Sequence, residues 1–268
     1  MIERILITAT SMVVSLIGVV VLRRLVGHER LSANNEFAGF AYAIIGAIYG
    51  VYLAFTVVVV WEQFQEADRN ATSEAVYLSQ VWRDTEVLPA GARASVQADL
   101  LAYSNSVITE EWQSMAESAS AHPATSSIYE ELWRQLYAAR VEVQNAGDIA
   151  FFNEAVVQMN SLGMSRRLRL LSATAALPTI MWLLLTGGGI LTISLTYLIG
   201  TQHGWVQAAV TAAVTGLIVF SLLIVAALQH PFAGDVSVRP DALIGVRDSL
   251  VERLQRQKAV ESTQGSRR

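Results

Sequence analysis

The sequence predicts an all-α membrane protein: four transmembrane helices with a helical-bundle cytoplasmic insert between helices 2 and 3. Three observations carry this. Ile5–Leu22, Phe37–Trp61, Ala173–Ile199 and Trp205–Leu228 contain no Asp, Glu, Lys, Arg or His, and together they make up 94 of the 268 residues. About 20 apolar residues are enough to cross a bilayer as a helix. Charged residues make up only 16% of the chain, against about 25% in a soluble domain. The charge that is present collects in residues 62–172, which hold 15 acidic and 8 basic side chains. These features exclude an ordinary soluble enzyme, a secreted disulfide scaffold and a nucleic-acid-binding protein. The absence of Cys excludes a thiolate metal or redox centre.

The chain divides into a first transmembrane hairpin (1–61), an acidic helical extramembrane domain (62–172), a second hairpin (173–228) and a C-terminal tail (229–268). The first apolar stretch ends in Arg23-Arg24 with no small-x-small cleavage pattern, so it reads as a retained helix and not as a leader. Arg4, Arg69, Arg166, Arg167, Arg169, Arg239 and Arg247 fall on the side of the termini and the insert, against Arg23, Arg24 and Arg30 on the other. Basic residues near span ends mark the cytoplasmic face. The expectation is a multi-pass protein of the cell inner membrane with its insert in the cytoplasm; the opposite orientation stays open, because Arg23-Arg24 directly follows the first span.

Inside the insert, Phe64, Ala67, Ala71, Ala75, Leu78 and Trp82 repeat at helical spacing, with no Gly or Pro after Trp61. The second span is therefore expected to continue out of the bilayer. Pro89-Ala90-Gly91 marks a turn. A second helix runs to about Ser118. A third starts at Ser127, whose spacing to Glu130 makes a capping box, and reaches about Asn145. A fourth opens at Gly147-Asp148 and leads into the third span through Arg166-Arg167-Leu168-Arg169. The expected result is a bundle of four antiparallel helices, two of them extensions of spans. Leu250–Arg268, charged and without aromatics, reads as a tail.

None of the span residues is ionisable near neutral pH. Proton-coupled transport and intramembrane hydrolysis need carboxylates, histidines, nucleophiles or metals there. No catalytic residue, metal site or cofactor is assigned, and the chain is not read as an enzyme. What remains is a passive path, a packing scaffold or an anchor.

The second span has the most pattern. Asn35, Tyr42, Tyr49 and Thr56 recur every seven residues, with Tyr52 beside them; Gly39, Ala43, Gly46, Gly50 and Ala54 form a neighbouring small-residue stripe. Two readings are open. The hydroxyl and aromatic stripe lines a water-filled axis shared by several copies, or both stripes serve helix packing. Gly187-Gly188-Gly189 in the third span is either a break that lines a site or a point of close helix approach. Arg166, Arg167 and Arg169 either draw anions to a pore mouth or contact anionic lipid, and they can pair with Glu62, Glu66 and Asp68.

Asn35-Glu36-Phe37-Ala38-Gly39, Tyr49, Ala54-Phe55, Trp61-Glu62, Glu74-Ala75 and Pro231-Phe232-Ala233-Gly234 together resemble the bestrophin-like domain family, mostly bacterial membrane proteins. The resemblance implies four spans with a helical insert. Through distant likeness to bestrophins, it also implies an oligomeric anion channel whose second span lines the pore. The leading expectation is thus a homo-oligomeric channel in the lipid bilayer passing anions or small solutes. The alternative is a non-conducting membrane anchor or scaffold whose helical domain binds a partner or senses a stimulus.

Overall fold

Runs of Leu, Ile, Val and Ala without charge form helix wherever backbone groups must satisfy one another, and the fold follows that rule. A computed structural model describes residues 2–27, 31–32 and 35–265. It contains no strand among those residues. Arg30 and the last three residues, 266–268, lie outside the described residues.

The helices are α1 (Ile2–Val26), α2 (Asn35–Asp84), α3 (Ala90–Ser106), α4 (Trp112–Ser118), α5 (Pro123–Ala139), α6 (Ala146–Ala173), α7 (Thr179–Leu198), α8 (Gly204–Leu228) and α9 (Asp241–Gly265). One π-helical turn, Val107–Glu111, joins α3 to α4. α2 has 50 residues. At 1.5 Å per residue it is about 75 Å long, more than twice the hydrocarbon thickness.

The chain forms two compact units. The first holds residues 1–62 and 176–229; the second holds residues 63–175 and 230–268.

In the first unit, α1 packs along α8, and α7 packs on α8. Small residues set the close approaches. Tyr197 lies against Gly18 and donates its hydroxyl to the Ser15 carbonyl at 3.2 Å. The Met12 thioether sits on Gly216. Between 11% and 33% of the most apolar window of each span is buried within the chain. Such apolar exposure needs lipid or further protein around it.

The second unit has a core of its own. Trp82, Leu78, Leu100, Tyr103, Leu132, Leu136, Met159 and Leu162 are fully buried in it. α3 packs on both α5 and α9.

Four details differ from the sequence expectations. Ser127 is not an N-cap: α5 starts at Pro123, and the Ser127 hydroxyl donates back to the Pro123 carbonyl at 3.2 Å. Proline at a first helical position has no N–H to satisfy, so it starts the helix one turn earlier. α5 ends at Ala139, followed by a short 3-10 turn, and Asn145 caps α6 by accepting from Gly147 N. α6 does not run on into the third span: it ends at Ala173, and α7 starts at Thr179 behind Pro178. Finally, residues 241–265 are not a free tail. They form α9, with Leu243 and Leu250 buried in the second unit's core.

Candidate functional site

Two constellations stand out: the span half of α2, and a charge cluster within the second unit.

The Tyr stripe of α2 faces α7 of the same chain. Tyr49 is 7% exposed, and its hydroxyl donates to the Leu185 carbonyl at 3.1 Å. Its side chain lies on Gly188 and Gly189, where an added Cβ would stand 2.6 Å from a ring carbon and 3.0 Å from the hydroxyl, respectively. Tyr52 donates to the Met181 carbonyl at 3.2 Å. The Thr56 hydroxyl, also buried, bonds back to the Tyr52 carbonyl at 2.9 Å. Asn35 clamps the start of the α7–α8 loop, donating to Gly200 O at 2.5 Å and accepting from Gly200 N at 2.8 Å. Tyr42 borders a mostly apolar cavity of about 90 Å3 with Thr196, Gln207 and Thr211.

Within the protomer, the Tyr49 and Tyr52 hydroxyls are therefore bonded to α7 and that of Thr56 to α2 itself. Small residues let membrane helices approach closely, and the glycine triplet of α7 gives the Tyr49 ring such a surface. The triplet stays helical and serves close approach; it is not a break.

The small-residue stripe behaves differently. Nothing lies within 4 Å of a Cβ built on Gly39 or Gly50, and Gly46 has only distant neighbours at 4.0 Å. Ala43 and Ala54 are exposed. Within the chain, none of these residues is small because a neighbour demands it. On another side, about 130° round the helix from this stripe at 100° per residue, α2 exposes Phe37, Ile44, Ile48, Val51 and Phe55. At 100° per residue these five fall within about 60° of one another.

The second constellation is charged and centred on side chains with no exposed surface, Arg169, Glu74 and Glu111. Arg169 is 0% exposed; its guanidinium donates to Glu74 at 2.6 and 3.0 Å and to Glu111 at 2.7 Å. Tyr103 donates to Glu74 at 2.6 Å. Arg166 pairs with Glu111 at 2.5 Å and donates to Ser126 at 3.0 Å. The π turn at Val107–Glu111 lets Glu111 point inward, while Glu110 on the same turn meets Ser106 at 2.8 Å and His122 at 3.3 Å. Burial pushes the Glu111 carboxyl up, but Arg169 and Arg166 outweigh it and hold it below the usual carboxylate value. Burial, with Glu74 beside it, drives the Tyr103 phenol well above its ordinary range.

Arg169 also lies over the Trp112 ring at 5.3 Å. Phe232 meets the same indole edge-on at 5.3 Å, and the Trp112 N–H donates to the Val238 carbonyl at 3.1 Å. So the Pro231-Phe232-Ala233-Gly234 segment closes on the cluster through Trp112, with Gly234 at φ 83° making its turn.

This corrects the reading of the arginines as a membrane-proximal trio. Arg166 and Arg169 are structural charges paired with Glu111 and Glu74, and Glu66 pairs with Arg69 instead. Only Arg167 is exposed. The signal was present in the sequence. Phe152, Ala155, Met159, Leu162, Arg166, Arg169 and Ala173 keep a strict three–four spacing, so two arginines sit on the buried face of α6. Among the described residues, no group of three or more His, Asp or Glu converges to hold a metal ion.

The fold has counterparts of known structure. A bacterial bestrophin homologue from Klebsiella pneumoniae matches with a TM-score of 0.69 at 14% identity, over 94% of this chain and 97% of that one. Two crystal structures of point variants of a Klebsiella pneumoniae bestrophin homologue match at TM-scores of 0.71 and 0.70, both at 15% identity over the same shares of the two chains. No curated protein matches. The bestrophin-like domain model matches residues 9–243, and the chain belongs to the bestrophin-like family.

Proposed function

We propose that the chain assembles with copies of itself into a membrane channel passing anions or small solutes, with α2 beside the conducting axis. The observation that carries this reading is the unpartnered face of α2. It carries a column of bulky apolar side chains and a stripe of small residues whose Cβ positions at Gly39 and Gly50 are open among the described residues. Small stripes let backbones of separate helices come close. A ring of Ile and Phe side chains makes a constriction that gates by dewetting. The pore-facing residues are thus Ile44, Ile48, Val51 and Phe55, in place of the Tyr stripe, where the Tyr49 and Tyr52 hydroxyls are spent on α7. Membership of the bestrophin-like family supports the channel class.

The insert faces the cytoplasm of an inner-membrane protein in this reading, supported by the seven arginines on its side of the spans against three on the other.

The test is single-channel recording of the purified protein in a planar bilayer. Phe55→Ala and Ile48→Ala should change unitary current or open probability, while Tyr49→Phe should leave unitary current as in wild type. No current from the wild type, or no change in either apolar variant, sinks the reading. A non-conducting protein would leave the anchor as the function.

A further inference from the structure

A groove of about 580 Å3 runs between α5 and α6 of the second unit, within the size range of small-molecule sites. Its floor is fixed. The Tyr129 hydroxyl accepts from the Trp133 indole N–H at 2.9 Å, and the Arg166 guanidinium lies over the Tyr129 ring at 5.5 Å. Gly163 is side-chain-free where a Cβ would collide with the Tyr129 hydroxyl. Trp133 stacks on Tyr137 at 5.2 Å with an interplanar angle of 23°. These flat rings are therefore held in place before any ligand arrives.

The two arginines on the groove differ. Arg166 is consumed by Glu111 and Ser126. Arg167 lines the groove, is exposed, and makes no hydrogen bond or ion pair with any described residue. That is unusual in a segment where acidic residues outnumber basic ones by 15 to 8. A planar guanidinium beside fixed aromatic faces suits a ligand that offers both a ring and a negative charge. Met164 and Leu170 also line the groove and offer apolar surface to the edge of such a ring.

We propose that the α5–α6 groove binds a small organic anion with a planar ring, the ring stacking on Trp133 and the carboxylate or phosphate pairing with Arg167. The site does not depend on the channel reading.

The experiment uses the full chain in phosphatidylcholine nanodiscs, so that no anionic headgroup competes. AMP and 1-naphthoate are the ring-bearing probes, inorganic phosphate is the ring-free control, and the readout is tryptophan fluorescence quenching. Expected is a saturable response to at least one ring-bearing anion, much weaker for phosphate. Arg167→Ala should weaken binding by roughly tenfold or more, as loss of a charge-assisted contact does, and Trp133→Phe should remove the quench. Arg167 is exposed, so its replacement leaves the fold intact. The proposal is overturned by no saturable response, by equal binding of phosphate, or by an unchanged Arg167→Ala. It is overturned too if acrylamide cannot reach Trp133 in the ligand-free assembly, which would mean a second copy already fills the groove.

Discussion

Arg169 and Glu74 stand 95 positions apart in sequence, and neither exposes any surface, yet the guanidinium meets both carboxylate oxygens, at 2.6 and 3.0 Å. The buried Arg169 and the half-buried Arg166 face two buried glutamates, so the cluster is neutral as a set. Removing one partner of such a set leaves a bare charge in the core, which costs about 3–5 kcal/mol. Glu74→Gln or Arg169→Met alone should therefore lower the melting temperature of the purified protein sharply. The double variant, in which Glu111 still pairs with Arg166, should recover part of the loss. If the two single losses simply add, the pair is not coupled.

Acid should loosen the second unit through Glu111. Its carboxyl is held below the ordinary value by Arg169 and Arg166 against the upward push of burial. A depressed carboxylate adds stability that is full above its unfolded value of about 4.3 and is lost as pH falls through the folded one. Glu111-linked stability should thus be flat from pH 7 down to about 5 and drop below about 4.3. Glu111→Gln should flatten that acid limb while lowering stability at neutral pH. A melting curve whose acid limb is the same in the variant would show that other carboxyls govern it.

The reach of the sequence can be judged on these same residues. The four spans were legible because a charge-free run of that length has one stable fate in lipid. The extension of α2 was legible because nothing in its sequence interrupts it. The heptad spacing of Tyr42, Tyr49 and Thr56 was legible too, but not what it faced. A hydroxyl stripe looks the same whether water or a neighbour's carbonyl meets it, and the partner lay well over a hundred residues away at Leu185 and Gly188. The arginines of α6 misled for a related reason. Basic residues before a span usually mark topology, and their glutamate partners sit in other helices. The helix at Asp241–Gly265 escaped notice because its apolar anchors, Leu243 and Leu250, are sparse among charges.

Gly188 fixes the seat of Tyr49. An alanine Cβ there would stand 2.6 Å from the ring, and the ring is held because its hydroxyl is tied to Leu185 and lies close over Gly189. Gly188→Ala should destabilise the first unit by about 1–3 kcal/mol, the usual cost of overpacking. Gly187→Ala is the control, since nothing lies within 4 Å of that position. Thermal unfolding in detergent separates the two. Equal behaviour would mean the ring is not held as described.

Gly50 separates fold from assembly. It is exposed on α2 and its Cβ position is open within the chain, so a larger side chain meets nothing in the protomer. If the small stripe is where copies approach, bulk there pushes them apart, because backbone contact between membrane helices fails once a side chain intervenes. Gly50→Ile should keep the melting behaviour of the isolated protomer and reduce the oligomer mass measured by light scattering in detergent. Gly39→Ile, on the same stripe and equally open, should act in the same direction. Ile180→Ala, an exposed apolar change on α7, should leave the mass alone if that surface meets lipid. An oligomer unchanged by both glycine variants removes α2 from the contact between copies, and with it the argument that the Ile48 and Phe55 face borders a shared axis.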